Sequence, residues 1–155
     1  MGKRGGVVLI GLAIAVLLTF TSVSESDHVP LPQNASVEPP ASSIPADIAI
    51  FSGRWEGQWG GGVPHILIIR KISADPRGRY TVDAVYAWGD ASGGGGDIRK
   101  GWQEVEGVIS KGQLEIQIPP RITVWYKIVN GGSALEGRWQ GRTASFHGTF
   151  MKAPQ

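Results

Sequence analysis

Side chains able to do chemistry are few in this 155-residue chain. After the first fifty residues the only histidines are His65 and His147. Neither has a second histidine or carboxylate at the spacing of a metal site, and His147 falls in the outward phase of a strand-like run. The chain has no cysteine, which excludes disulfides and thiolate metal sites. The sequence therefore predicts no metal and no cofactor.

The remaining polar groups favour a solvated surface over a catalytic centre. Asp83, Glu104 and Glu106 each occupy the polar phase of a strand-like run, where carboxylates are ordinarily exposed. No serine lies in a nucleophile-elbow pattern. The glycine-rich loop Gly89 to Gly101 is not followed by Gly-Lys-Ser/Thr, so it is interpreted as a lid and not as a phosphate-binding loop. We therefore expect a protein that is not an enzyme.

The six tryptophans carry a stronger functional signal. Trp59 and Trp88 fall at strand ends beside glycine-rich loops, and with Tyr86 they would line the mouth of a barrel. Trp125 lies in the polar phase of its run, between Thr123 and Lys127, which marks it as a candidate exposed aromatic contact. These four aromatic residues are the candidate ligand-binding residues.

The stretch from Phe51 to Trp59 predicts the fold, because its alternate residues sort by polarity as in a strand with one buried face. Much of it returns at Leu135 to Gly141, with Gly-Arg-Trp-x-Gly in common. From Ile48 onward there are eight such strand-like runs separated by turn residues, and no helical periodicity after residue 47. The prediction is an all-β fold, a single antiparallel up-and-down barrel of about eight strands.

The first 47 residues have a different composition. Lys3 and Arg4 precede an apolar run from Val7 to Phe20 and then small polar residues, which predicts a signal peptide over residues 1–26. An uncleaved anchor through residues 7–23 is the alternative. Either arrangement exports the domain, to the periplasm or outside the cell. Residues 27–47, with five prolines, are predicted to be a disordered linker with too little apolar surface to pack, leaving residues 48–155 as the barrel domain.

Charge gives no reason to expect a nucleic-acid partner. From Arg54 to the end there are 13 basic and 9 acidic residues, a net of +4. The two signs alternate along the strands and no Lys/Arg run forms, which is typical of a mixed, solvated surface.

Two motifs carry a family resemblance. Gly53-x-Trp55 resembles the Gly-x-Trp signature of lipocalins and related calycin barrels. Together with Ala84 to Gly89, the opening strand also looks like small exported bacterial barrel domains, some of them found beside hydrolase domains. The resemblance implies that Trp55 closes one end of the barrel under a basic residue from a late strand. The candidates for that residue are Arg138, Arg142 and Lys152. The repeat extends the closure to a structural set of Gly53, Trp55, Gly137 and Trp139.

Three functions follow from these patterns. The leading expectation is binding of a small apolar or amphipathic molecule at the mouth, by Trp59, Tyr86 and Trp88 under the loop Gly89 to Gly101. The second is a carbohydrate or cell-envelope binding module that stacks its ligand on Trp125. The third is a barrel enzyme, or the accessory domain or partner of a hydrolase. An open apolar cavity in the barrel favours the first, and an interior filled by side chains favours a structural or surface role.

Overall fold

The computed structural model describes residues 29–91 and 98–154, so the predicted signal peptide at 1–26 lies outside the described residues. One helical turn, α1, spans Ala46–Ala49. Eight strands follow: β1 Gly53–Trp59, β2 Val63–Ala74, β3 Tyr80–Trp88, β4 Gly101–Ser110, β5 Gln113–Ile118, β6 Ile122–Val129, β7 Ala134–Gln140 and β8 Ser145–Lys152. A 3₁₀ turn at Asn130–Gly132 joins β6 to β7. Within the described ranges, no helix is long and apolar enough to cross a membrane.

The strands form a closed barrel in sequence order. Each strand pairs antiparallel with the next, and β1 also pairs with β8, with Gly57 opposite Phe150. Closure gives the first and last strands a hydrogen-bonding partner on both sides, so no sheet edge is left. The predicted all-β up-and-down barrel is confirmed.

Strand β2 is apolar in both phases, and the structure gives the reason. Leu67 and Ile69 point into the barrel core, whereas Ile66 and Ile68 are buried on the outer wall. The register against β3 then shifts between Ile69 and Lys71, as at a β-bulge. A strand covered on both faces has no reason to alternate in polarity.

Residues 29–45 precede α1, and we call them the N-terminal strap; their first part, up to Val37, covers the outer wall of β2 and β3. Val29 is buried there against Ile66, Ile68, Val85 and Ala87, with Leu31, Ala35 and Val37 packed around them. This contact corrects the expectation that the segment has too little apolar surface to pack. The correction covers its described residues only, because residues 27 and 28 lie outside them.

A backbone hydrogen bond fixes the strap at the bulge. The Glu38 N–H donates to the Arg70 carbonyl at 2.7 Å. Arg70 is the extra residue of the register shift, so its carbonyl is turned out of the β2–β3 ladder and accepts from the strap instead.

The short helix α1 closes one end of the barrel. Ile44, Ile48 and Phe51 are buried in the main core, and Ile50 lies against Gly132 in the β6–β7 connection. The sequence pattern did not predict this helix, because a single turn is too short to show a 3.6-residue period. The opposite end of the barrel carries the β1–β2, β3–β4, β5–β6 and β7–β8 connections, and we call it the mouth.

Candidate functional site

Trp55 occupies the closed end of the barrel. Its side chain is fully buried, and its Nε1–H donates to the Phe51 carbonyl at 2.9 Å. Lys152 Nζ lies 4.8 Å from the centroid of the Trp55 ring and donates to the Ile50 carbonyl at 2.9 Å. Partial burial lowers the pKa of Lys152. Of the three basic residues considered from the sequence, Lys152 is therefore the one that covers Trp55.

Three glycines on the inner wall make room for two large rings. A Cβ on Gly137 would lie 2.6 Å from Phe150 Cε2 and 2.7 Å from Trp59 Cη2, and one on Gly148 would lie 2.7 Å from Phe150 Cζ. Gly57 faces the same Phe150 ring. Only residues without a side chain allow Trp59 and Phe150 to lie across the sheet here. Gly137 thus supports Trp59 in mid-barrel and takes no part in the Trp55 closure, which corrects its predicted place.

Next to these glycines, the middle of the barrel is filled by an aromatic layer. It consists of Trp59, His65, Tyr86, Tyr126 and Phe150. Ring centroids lie 4.7 Å apart for Trp59 and Phe150, and 4.3 Å apart for His65 and Tyr86. Most of these pairs are tilted or edge-to-face, the arrangements that aromatic quadrupoles favour. The middle of the barrel is therefore packed and leaves no channel to the closed end.

His65 is the polar centre of the aromatic layer. Its Nδ1 lies 2.7 Å from the Ala87 carbonyl and its Nε2 lies 2.9 Å from the Tyr126 hydroxyl. A carbonyl can only accept, so Nδ1 carries the proton and Nε2 accepts from Tyr126. Burial lowers the pKa of His65 to about 3, although the bond to Ala87 opposes that change. His65 is therefore neutral at physiological pH.

The two tyrosines of the layer are also uncharged. Burial raises the pKa of Tyr126, and the nearby Tyr86 raises it further. Burial likewise raises the pKa of Tyr86, with the Trp59 indole partly opposing the rise. That indole is close to Tyr86, yet its Nε1–H meets no acceptor within hydrogen-bond geometry among the described residues. The layer forms a neutral floor beneath the mouth.

A cavity of about 260 Å³ lies above this floor and opens at the mouth; we call it the mouth pocket. Within the described ranges, none of its lining residues is charged. They are Trp59, Val63, Tyr86, Trp88, Ile98, Gln103, Ile118, Ile122, Trp139 and Phe146.

The mouth pocket brings together three of the residues singled out in the sequence, Trp59, Tyr86 and Trp88. Trp88 is held in place because its Nε1–H donates to the Arg99 carbonyl at 2.8 Å and its ring lies across Gly101. The strand-end positions of Trp59 and Trp88 beside glycine-rich turns were the signal that predicted this grouping.

Trp139 belongs to the mouth pocket and not to the barrel closure, which corrects its predicted role. It lies near the mouth end of β7, over Gly141 and with its ring centroid 5.3 Å from that of Phe146. The repeat motif placed it on the inner face, but β1 and β7 run in the same direction and Trp139 lies further along its strand than Trp55. Two pocket residues were missed as ligand candidates: Ile98 is an isolated apolar residue in a connection and carries no periodic signal, and the alternation of β8 assigned Phe146 to a face but not to the pocket.

Trp125 lies on the outer wall, away from the mouth pocket. Its side chain is half-buried, and its Nε1–H donates to Glu115 Oε2 at 3.0 Å. The Arg138 guanidinium carbon lies 5.5 Å from the ring centroid. A cation thus already covers part of the indole that the sequence suggested as a stacking surface.

No known protein-family profile matches the sequence, and no curated protein matches it. Among solved structures, the chain is similar to a protein titled "The crystal structure of Echinococcus granulosus fatty-acid-binding protein 1". The two are 11% identical, and the match covers 68% of this chain and 98% of the other, with a TM-score of 0.36.

Proposed function

We propose that this barrel binds a small apolar or amphipathic molecule in the mouth pocket. The observation that carries the proposal is the coexistence of an uncharged cavity at one end with a plugged opposite end. α1 and Trp55 close one end, the aromatic layer fills the middle, and the mouth leaves about 260 Å³ open between apolar walls. A barrel with a purely structural role would have no reason to leave that space unfilled.

The size of the pocket limits the buried part of the ligand. Ligand pockets in proteins usually measure about 300–1,000 Å³, and an apolar cavity of about 150 Å³ already binds benzene. A volume of about 260 Å³ therefore suits a single fused ring system or one short acyl chain.

The lining decides the chemistry of the buried part. The lining side chains that the structure describes carry no charge, and His65, Tyr86 and Tyr126 are neutral in the floor. An ion moved into such surroundings without a partner would lose its hydration with nothing to replace it. The buried end of the ligand is therefore uncharged. The role that we propose for this pocket is the binding of such a ligand.

A titration with the uncharged dye Nile red tests the proposal. The parent protein should enhance the dye's fluorescence in a saturable way. Trp88→Ala should weaken binding by about tenfold or more, since buried aromatic anchors contribute most to such sites. Trp102→Ala is the matched control, because Trp102 is 43% exposed and lies outside the pocket. Its affinity should stay within about twofold of the parent.

Trp125→Ala separates this proposal from the carbohydrate alternative and should leave dye binding unchanged. Absence of saturable binding in the parent would refute the mouth site. So would equal loss of affinity in Trp88→Ala and Trp102→Ala.

We also propose that the domain works outside the cytoplasm, in the periplasm or as a secreted protein. The basic residues Lys3 and Arg4, followed by the apolar run from Val7 to Phe20, support export.

A further inference from the structure

We infer that the ligand is an anionic amphiphile bound with its acidic head outward, the apolar part in the mouth pocket and the head against a basic rim. The inference rests on the proposed binding function and names the class of ligand. It starts from the four chain connections at the mouth end, whose described residues are 60–62, 89–91 with 98–100, 119–121 and 141–144.

Basic residues on these connections are close in sequence to pocket-lining residues. Arg99 directly follows Ile98, and Arg121 directly precedes Ile122. Arg142 lies between Trp139 and Phe146. The three arginines therefore lie on three different connections at the mouth end of the barrel.

The three rim arginines are available to a ligand. Arg99, Arg121 and Arg142 are exposed, and none forms an ion pair with any residue in the described ranges. Lys100, in contrast, is 4.0 Å from Asp90. In sequence, the four connections carry four basic residues and two acidic ones, Asp90 and Asp97, a net of +2, with Asp97 outside the described residues.

Local contacts hold two of these arginines at the rim. The Arg99 carbonyl accepts from Trp88 Nε1, and the neighbouring Ile98 pairs with Ala91 in an isolated bridge. The Gly141 N–H donates to the Ala144 carbonyl at 2.9 Å, which fixes the turn that presents Arg142.

The neutral pocket and the basic rim together determine the orientation. A charged head cannot be stabilised at the floor, whereas at the rim it meets guanidinium groups and stays hydrated. Ile98 and Phe146, 42% and 38% exposed, extend the apolar wall out to the level of the arginines. The site thus grades from apolar to cationic toward the solvent, which matches a short acyl chain with a carboxylate or phosphate head.

Three ten-carbon probes that differ only in the head test this orientation: decanoate, decanol and decylammonium. Isothermal titration at pH 7 and low ionic strength should give the tightest binding for decanoate and the weakest for decylammonium. The rim variant Arg99→Gln/Arg121→Gln/Arg142→Gln should weaken decanoate roughly 3- to 30-fold, the sum of a few exposed charge pairs. Decanol should change by less than about twofold, and added salt should reduce the decanoate preference.

The matched control is Arg77→Gln/Lys111→Gln/Lys127→Gln, which removes the same net charge from exposed positions away from the mouth. It should leave both affinities within about twofold of the parent. An equal loss of affinity for decanol and decanoate in the rim variant would overturn the inference. The arginines would then affect the shape of the pocket and would not interact with the charge of the ligand's head.

Decanol binding with no preference for decanoate would also overturn the inference while leaving the proposed function intact. If none of the three probes binds, the proposed function itself fails. If the parent sediments with phosphatidylglycerol vesicles but does not bind free decanoate, the rim is a membrane-docking surface and the inference is wrong.

Discussion

Replacing Trp55 by alanine gives a sharp test of how this barrel is closed. The side chain is fully buried, its Nε1–H bonds the Phe51 carbonyl at 2.9 Å, and Lys152 covers its ring at 4.8 Å. The substitution therefore removes packing, a hydrogen bond and a cation–π contact at once.

The expected loss follows from those three contacts. Truncating a buried tryptophan to alanine costs about 3–5 kcal/mol. Loss of the donor to Phe51 leaves a carbonyl without its partner, which costs about 1–3 kcal/mol when the site stays dry. The Lys152 contact is worth about 0.5–2 kcal/mol. These contributions overlap, so we expect a total near 5 kcal/mol, close to the whole stability of many small domains.

Urea denaturation followed by far-ultraviolet circular dichroism is the assay. With a denaturant slope of about 1–3 kcal/mol per molar, a loss near 5 kcal/mol should lower the midpoint by about 1.7–5 M. Trp55→Phe separates the contribution of the hydrogen bond from that of the packed ring, because phenylalanine keeps an aromatic ring and lacks the N–H. This variant should lower the free energy of unfolding by about 1–3 kcal/mol. Trp102→Ala, at a 43% exposed position, should change the free energy of unfolding by less than about 1 kcal/mol.

The closure argument is wrong if Trp55→Ala costs no more than Trp102→Ala. It is wrong in part if Trp55→Phe matches Trp55→Ala, because the hydrogen bond and not the packed ring would then dominate.

Three further predictions concern the rest of the chain. A protein beginning at Ala46 should melt at least about 5 °C below one beginning at Asp27, because burying Val29 is worth about 1.5–3 kcal/mol and each kcal/mol moves the midpoint by about 4–8 °C; equal midpoints would show that the strap contributes nothing. The neutral, buried His65 should make folding weaker as pH falls from its ordinary pKa of 6.5 toward about 3, since only the unfolded chain takes up a proton in that window. Unfolding measured at pH 7 and pH 4 should show this loss in the parent and a smaller one in His65→Gln, and an identical pH dependence in both proteins would contradict the assignment. Expressed with its own N-terminus, the protein should be recovered outside the cytoplasm, shortened by roughly 22–28 residues by mass spectrometry, whereas a full-length soluble cytoplasmic form would rule out export.

The local pattern determined much of the fold. Strict alternation from Phe51 to Trp59 assigned an inner face, and similar runs separated by turn residues predicted eight antiparallel strands in chain order. The same pattern placed Trp59, Tyr86 and Trp88 at the mouth, because residues at strand ends beside glycine-rich turns must lie at a rim. These inferences needed only the two-residue period of a strand, which is a property of neighbouring residues.

Tertiary structure decided which side chains meet across the barrel. His65 and Tyr126 are 61 positions apart, and no local pattern links them. The choice of Lys152 over Arg138 and Arg142 likewise depended on the register with which β8 closes on β1. An alternating sequence states which face a residue occupies but not its height along the barrel.

The strap is a second example of a contact that the local sequence pattern does not show. Its prolines and small residues indicate a segment without a core of its own, and the structure agrees that it forms no strand or helix before α1. Val29 and the apolar residues near it in the strap are covered because β2 and β3 present Ile66, Ile68 and Val85 outward. The apolar residues in both phases of β2 were visible in the sequence. Which segment covers that outer wall depends on the path of the chain in three dimensions. A residue is buried only when two surfaces come into contact, and the sequence of one segment does not show which other segment it will contact.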